Sequence, residues 1–118
     1  MNIMHREGIN PENATAEDFL CDFCGQCWAE DRPMVEGHRG SLICAKCLTL
    51  AYDELWNRLA GEPIPEGSTC VLCLERRDDP AWASPMNASL VCKRCAKQSV
   101  VMLERDPDSN WKRPKPGA

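Results

Sequence analysis

The apolar positions of the chain fall into two copies of one pattern. In each copy, apolar residues recur at three- and four-residue steps, which predicts an amphipathic helix. The stripe of the first copy is Leu48, Tyr52, Leu55 and Leu59, with a stop signal at Gly61. The stripe of the second copy is Ala96, Val100 and Leu103, ended by Asp106 and Pro107. The pattern therefore predicts two helices of similar design.

A short hairpin is predicted ahead of each helix. In the first copy, residues 34–35 would pair with residues 42–43 around a turn that carries Gly37 and Gly40. In the second copy, residues 82–83 would pair with residues 90–91.

Cysteines repeat with the same period. Eight of the nine form Cys-x-x-Cys pairs, namely Cys21/Cys24, Cys44/Cys47, Cys70/Cys73 and Cys92/Cys95. Corresponding cysteines lie 49 or 48 residues apart, and the gaps between the pairs of one copy are 19 and 18 residues. This spacing indicates an internal duplication.

The repeat sets the predicted domain boundaries. A loose N-terminus covers residues 1–14, the first module residues 15–62, the second module residues 63–106, and a disordered basic tail residues 107–118. The linker at residues 61–68 reaches at most about 28 Å when extended, so the modules must lie close together. We expect them to pack as a pseudo-twofold dimer within one chain, with the two apolar stripes at the contact.

The chemistry of the cysteines depends on the compartment. Modules of about 50 residues have little core and often need a metal or disulfides. Residues 1–8 carry no apolar run of a signal peptide, and no stretch approaches a membrane span. We therefore expect a cytoplasmic protein without a membrane partner, whose thiols are reduced or bound to metal.

Zinc is the metal that this spacing favours. It binds four thiolates in a tetrahedron, and two Cys-x-x-Cys turns can supply them from opposite sides. The sequence thus predicts two zinc ions per chain. The predicted metal ligands are Cys21, Cys24, Cys44, Cys47, Cys70, Cys73, Cys92 and Cys95.

Cys27 leaves an alternative in the first module, because Cys24 and Cys27 also form a Cys-x-x-Cys pair. We favour Cys21 as the ligand, since Gly25 follows Cys24 and suits a knuckle turn. This choice also keeps the two gaps nearly equal. Cys27 would then be a free thiol.

The motifs do not favour catalysis. Four cysteines fill the coordination shell of zinc, whereas a catalytic zinc keeps one position open. The sequence has no His-Glu-x-x-His motif and no glycine-rich phosphate loop. We expect a protein that is not an enzyme; electron transfer by iron on the same ligands is a weaker alternative.

The residues around the first four cysteines resemble the N-terminal zinc-binding domain of the ClpX unfoldase family. The resemblance rests on Cys21-Asp22-Phe23-Cys24-Gly25 and on Leu42-Ile43-Cys44-Ala45-Lys46-Cys47-Leu48, and it covers roughly residues 20–60. It implies a small metal-stabilised α+β fold of two tandem treble-clef zinc modules, each with a knuckle, a β-hairpin and a helix. In that family the domain dimerises and binds adaptor and substrate peptides. The second copy lacks the Phe and Gly of the knuckle, where Leu72 and Leu74 stand. We expect no ATPase module, so only the recognition role of the family would carry over.

These observations predict a non-catalytic adaptor or regulator that binds a protein or peptide partner, as a monomeric pseudo-dimer or a weak homo-oligomer. Whether residues 111–113 of the tail form a docking motif is left open. The alternative is a small nucleic-acid-binding regulator, for which the second copy offers Arg76, Arg77, Lys93 and Arg94 near Trp82. However, the net charge is −4, and a nucleic-acid reader normally shows a basic stripe.

Overall fold

The structure, a computed structural model, describes residues 19–76, 78–107 and 109–116. The predicted loose N-terminus at residues 1–14 lies outside this part of the chain, as do residues 15–18. The elements in order are β1 (Met34–Glu36), β2 (Leu42–Cys44), α1 (Ala45–Tyr52), β3 (Glu62–Pro63), β4 (Pro80–Ala83), β5 (Leu90–Cys92) and α2 (Lys93–Arg105).

The first hairpin forms as predicted. β1 and β2 are antiparallel, with Val35 opposite Ile43 and a 3₁₀ turn, His38–Gly40, between the strands. Val35 and Ile43 are both buried, because strand side chains alternate and these two face the core.

The second sheet has one strand more than predicted. β4 and β5 pair antiparallel with Trp82 opposite Val91, which confirms the predicted hairpin. β3 then adds to the free edge of β4, with Glu62 opposite Ala81. Residues 62–63 of the segment predicted as a linker therefore belong to the second sheet, and Ile64 of the same segment is buried.

The first helix differs from the prediction at its end. α1 stops at Tyr52 and continues as a π-helical segment, Asp53–Asn57. A π-helical turn holds more residues than an α-helical turn. Residues after this segment therefore no longer fall on the helix face that the 3.6-residue repeat predicts. Leu59 follows in a left-handed conformation (φ 52°) and is 71% exposed. Its predicted place in the apolar stripe was wrong.

The two helices contact each other and share one core. Leu48 and Leu55 from the first stripe and Val100 and Leu103 from the second are buried there. A second contact joins the modules where the rings of Phe23 and Trp82 lie 5.9 Å apart. The predicted small α+β fold with two tandem modules is thus observed, and its halves pack together.

Part of the C-terminal segment also contacts this body. Trp111 packs against the core cluster, and Arg113 forms an ion pair with Glu104 of α2. Both residues belong to the segment that the sequence predicts to be a disordered basic tail. No helix among the described residues is long and apolar enough to cross a membrane.

Candidate metal centres

The first centre begins with a knuckle turn at Cys21. The backbone N–H of Gly25 donates to the carbonyl of Cys21 at 2.9 Å, and Gly25 has φ +75°. The turn directs the N–H of Phe23 at the Cys21 Sγ, 3.3 Å away. Glycine fits this turn because it lacks the Cβ that penalises a left-handed backbone.

The junction of β2 and α1 supplies the other half of the first centre. Cys44 ends β2 and is the N-cap of α1, where its Sγ accepts a hydrogen bond from the N–H of Cys47 at 3.5 Å. The N–H of Cys44 donates to the Cys21 Sγ at 3.4 Å. Backbone donors aimed at sulfur stabilise the thiolate form that a metal needs.

The second centre repeats this design. The N–H of Leu74 donates to the carbonyl of Cys70 at 2.8 Å, as Gly25 does to Cys21. The N–H of Cys92 donates to the Cys70 Sγ at 3.3 Å, and Cys92 occupies the N-cap position of α2. The duplication read from the cysteine spacing therefore extends to the hydrogen bonds.

The structure brings all eight predicted ligands together in two groups of four. In each group the sulfur atoms lie within 4.8 Å of one another. Zinc–sulfur bonds of about 2.3 Å in a tetrahedron place sulfurs about 3.8 Å apart. The 3.7 Å between the Sγ atoms of Cys24 and Cys44 matches this spacing. Each group can hold one zinc ion, and its chemistry is that of a closed structural site.

Crowding of the thiols shapes their protonation. Hydrogen bonds from the thiols of Cys21 and Cys47 lower the pKa of Cys44 to about 3. The thiols of Cys92 and Cys95 likewise lower the pKa of Cys70 to about 2. The pKa of Cys47 is raised by the hydrogen bonds of its thiol with Cys21 and Cys44. The pKa of Cys95 is raised in the same way by Cys70 and Cys92. Only a cation at the centre lets all four sulfurs of a group ionise together, which fits zinc.

Asp22 connects the first centre to the second module. Burial raises the pKa of its half-buried carboxyl group, although an oxygen of that group accepts the N–H of Leu42 at 2.8 Å. The backbone carbonyl of Asp22 accepts from Asn87 Nδ2 at 2.8 Å and from Ser89 Oγ at 3.2 Å. The first knuckle is thereby attached to the turn of the second hairpin.

Cys27 lies outside both groups. It is half-buried, forms an isolated bridge with Leu20, and accepts a hydrogen bond on its carbonyl oxygen from the guanidinium of Arg32. The structure places Cys21, and not Cys27, with the other three sulfurs. The assignment of ligands stays a prediction that metal analysis of variants can test.

A groove lies beside the first centre. The sequence does not predict this groove. It has a volume of about 430 Å³, and Cys24 and Cys47 lie at its wall. Leu50 and Met86 line it and are 49% and 71% exposed. Its other main lining residues are Arg32, Lys46, Trp82 and Pro85. The two modules contribute from opposite sides, so no pattern within one repeat could indicate it.

The residues suggested for nucleic-acid binding are not all in position. Trp82 is 5% exposed and packs on Phe23, so its ring is unavailable for stacking on a base. Arg77 lies outside the described residues. The amines of Lys93 and Lys97 instead lie 4.5 and 4.8 Å from the ring centroid of Trp56.

Comparison with known proteins bears on the first module. The family model of the ClpX C4-type zinc finger matches residues 20–55, which confirms the resemblance for this segment. The match spans 36 of the 118 residues, and the second group of four cysteines lies outside it. That group is consistent with a second tandem copy. No curated protein and no solved structure matches the chain.

Proposed function

We propose that this protein is a non-catalytic zinc protein that binds a protein or peptide partner. The observation that carries the proposal is the groove beside the first centre. Large apolar side chains are costly to leave in water, and a concave cluster of them is typical of an interaction site. Leu50 and Met86 are such side chains, one from each module.

The charge around the groove indicates the chemistry of the partner. Arg32 and Lys46 lie among its lining residues, in a chain whose net charge is −4. Two cations beside an apolar floor complement a peptide that carries an apolar side chain next to a carboxylate. The partner would therefore be an acidic-apolar segment.

A structural role for zinc supports the absence of catalysis. Four sulfurs leave no open coordination position in either group. The ClpX C4-type zinc finger matched at residues 20–55 is itself a non-catalytic domain. Zinc would thus hold the two walls of the groove in place.

Selection of peptides from a random library on the zinc-loaded full chain tests this function. We expect enrichment of segments with an apolar residue beside Asp or Glu. Leu50→Glu or Met86→Glu should weaken their binding by about tenfold or more, as for central anchors of an interface. Met102→Glu is the matched control, since Met102 is 56% exposed but does not line the groove. Peptides that bind all three variants equally would contradict the proposal.

Nucleic-acid binding is the second candidate, favoured by the cluster of Lys93, Arg94 and Lys97 around Trp56. The acidic net charge opposes it, because affinity for nucleic acid comes mainly from neutralised phosphates. We expect no binding tighter than the micromolar range at physiological salt. Nanomolar binding with a steep salt dependence would replace the peptide proposal.

A further inference from the structure

The C-terminal segment lies on the body of the fold in the manner of a bound peptide. Trp111, Arg113 and Pro114 are half-buried, whereas Lys112 and Lys115 are exposed. Three of their contacts are to residues 57–62 positions away in sequence, on α1 and the π-helical segment after it, and Arg113 also contacts Glu104 of α2. We call the residues that receive the segment the tail-binding face: Thr49, Tyr52, Asn57 and Glu104.

Arg113 makes the most specific of these contacts. Its Nη2 and Nε donate to the two carboxylate oxygens of Glu104 at 2.6 and 2.9 Å. The backbone N–H of Arg113 donates to the same carboxylate at 3.0 Å. Its Nη1 donates to the hydroxyl of Tyr52 at 3.2 Å, and the guanidinium lies 5.4 Å from that ring's centroid. A planar fork held by a carboxylate and an aromatic face selects arginine over lysine.

Two further contacts fix the residues on either side. The indole N–H of Trp111 donates to Thr49 Oγ1 at 3.0 Å while the ring packs on the core cluster. The carbonyl of Pro114 accepts from Asn57 Nδ2 at 2.9 Å, and Asp53 Oδ1 holds the same amide at 3.1 Å. The face thus contacts an aromatic residue, an arginine and the carbonyl of a proline in sequence order.

We propose that the tail-binding face is a recognition site for segments of the pattern Trp-x-Arg-Pro in a partner protein, and that the chain's own tail occupies it in cis. Proline stiffens such a segment in an extended form, which lowers the entropy lost on binding. The face uses residues separate from the groove beside the first centre. It rests on the proposed function only in taking a peptide as its ligand.

Tethering explains why the tail would fill this site yet leave it exchangeable. α2 ends at Arg105, and Ser109 Oγ already donates to the carbonyl of Leu103 at 2.7 Å, so few residues separate the tail from its site. A short tether gives an effective concentration on the order of millimolar. A segment of about 100 μM intrinsic affinity would then be about tenfold masked by the tail.

The test uses full-length zinc-loaded protein and a fluorescent synthetic peptide with the sequence of residues 107–116. The double variant Trp111→Ala/Arg113→Glu frees the face while leaving it intact. We expect this variant to bind the peptide about tenfold more tightly than the native chain. Adding Glu104→Ala should abolish that binding, and adding Met86→Glu in the groove should leave it unchanged. A peptide whose arginine is replaced by alanine should not bind.

Each outcome decides the proposal. Equal binding to the native and freed chains, or no binding to the freed chain with two zinc ions retained, would overturn it. Exchange of tails between two chains, seen as a dimer of the native protein, would overturn it in favour of self-association. A second measurement needs no freed tail: the amide of Arg113 should exchange slowly in the native chain and rapidly in Glu104→Ala. Loss of peptide selection at the groove would not affect either result, so the two proposals fail separately.

Discussion

Gly25 and Leu74 occupy the same position in the two knuckles and adopt the same left-handed backbone. Their φ angles are +75° and +61°, and each N–H donates to the carbonyl of the first cysteine of its module. A glycine pays no steric cost there, whereas a leucine does. The second module therefore keeps the knuckle geometry at a cost that the first avoids.

This pairing predicts opposite effects for reciprocal substitutions. Leu74→Gly should stabilise the protein by about 0.5–1 kcal/mol, because removing the left-handed strain outweighs the entropy of glycine. The leucine side chain is 44% exposed, so little burial is lost. Gly25→Leu should destabilise by about 1–2 kcal/mol from strain alone, since no atom lies within 4 Å of the added Cβ. Chemical denaturation at a fixed concentration of free zinc measures the change in unfolding free energy of each variant. Changes of the same sign in the two variants would refute the explanation by left-handed backbone strain.

Metal content provides the second prediction. The native chain should hold two zinc ions by elemental analysis, one for each group of sulfurs. Cys21→Ser should lose one ion and Cys27→Ser none, because only Cys21 lies with the other three sulfurs. Chelation at neutral pH should unfold the protein, since binding energy at a structural zinc is folding energy. If Cys27→Ser loses an ion and Cys21→Ser does not, the knuckle is formed by Cys24 and Cys27.

The third prediction concerns the close packing around Gly61, the residue that precedes β3. Gly61 has φ +109°, and a Cβ there would lie 2.6 Å from Cδ2 of Leu55, which is fully buried, and 3.1 Å from the carbonyl oxygen of Ala81. Gly61→Ala should destabilise the protein by about 2–3 kcal/mol through strain and overpacking. Gly67→Ala is the matched control, with φ +85° and nothing within 4 Å, and should cost about 1 kcal/mol. Equal losses in thermal or chemical denaturation would mean that the close contact has no effect.

The sequence could predict the features that are local or periodic. The alternation around Val35 and Ile43 and the even spacing of the cysteines are enough to place both hairpins and both groups of sulfurs. The helix beginnings follow as well, because Cys44 and Cys92 each end a strand and occupy the N-cap position of the helix that follows.

Features that depend on distant contacts could not be predicted in this way. Residues 61–68 have the glycine and proline content of a linker, yet β3 pairs with β4, about twenty residues further along the chain. The tail has the lysine, arginine and proline content of a disordered segment, but Trp111 contacts Thr49, 62 residues away. Its indole was the one signal in the sequence, because an aromatic ring is unusual in a solvated tail.

The last prediction follows from the ion pair that holds the tail. The hydrogen bond from Arg113 lowers the pKa of Glu104 to about 2 from its usual 4.5. A carboxyl group whose pKa is lowered by folding stabilises the folded state above its unfolded pKa and stops doing so as pH falls. The contribution of Glu104 should therefore be complete above about pH 4.5 and disappear as pH falls towards 2.

Comparison of the native chain with Glu104→Gln isolates this contribution from the acid sensitivity of the zinc centres. The side chains of Arg113 and Glu104 are 32% and 27% exposed, so we expect a difference in unfolding free energy of about 0.5–1 kcal/mol at pH 7. Because the pair is partly exposed, the difference should shrink at 1 M salt, where screening acts over about 3 Å.

Glu30→Gln, at another exposed glutamate, is the control and should show no such difference. Denaturation of both variants and the native chain between pH 5 and 8 should give a constant gap for Glu104→Gln, because Glu104 stays ionised throughout that range. A gap that changes sign or disappears within it would show that Glu104 does not hold the tail by charge.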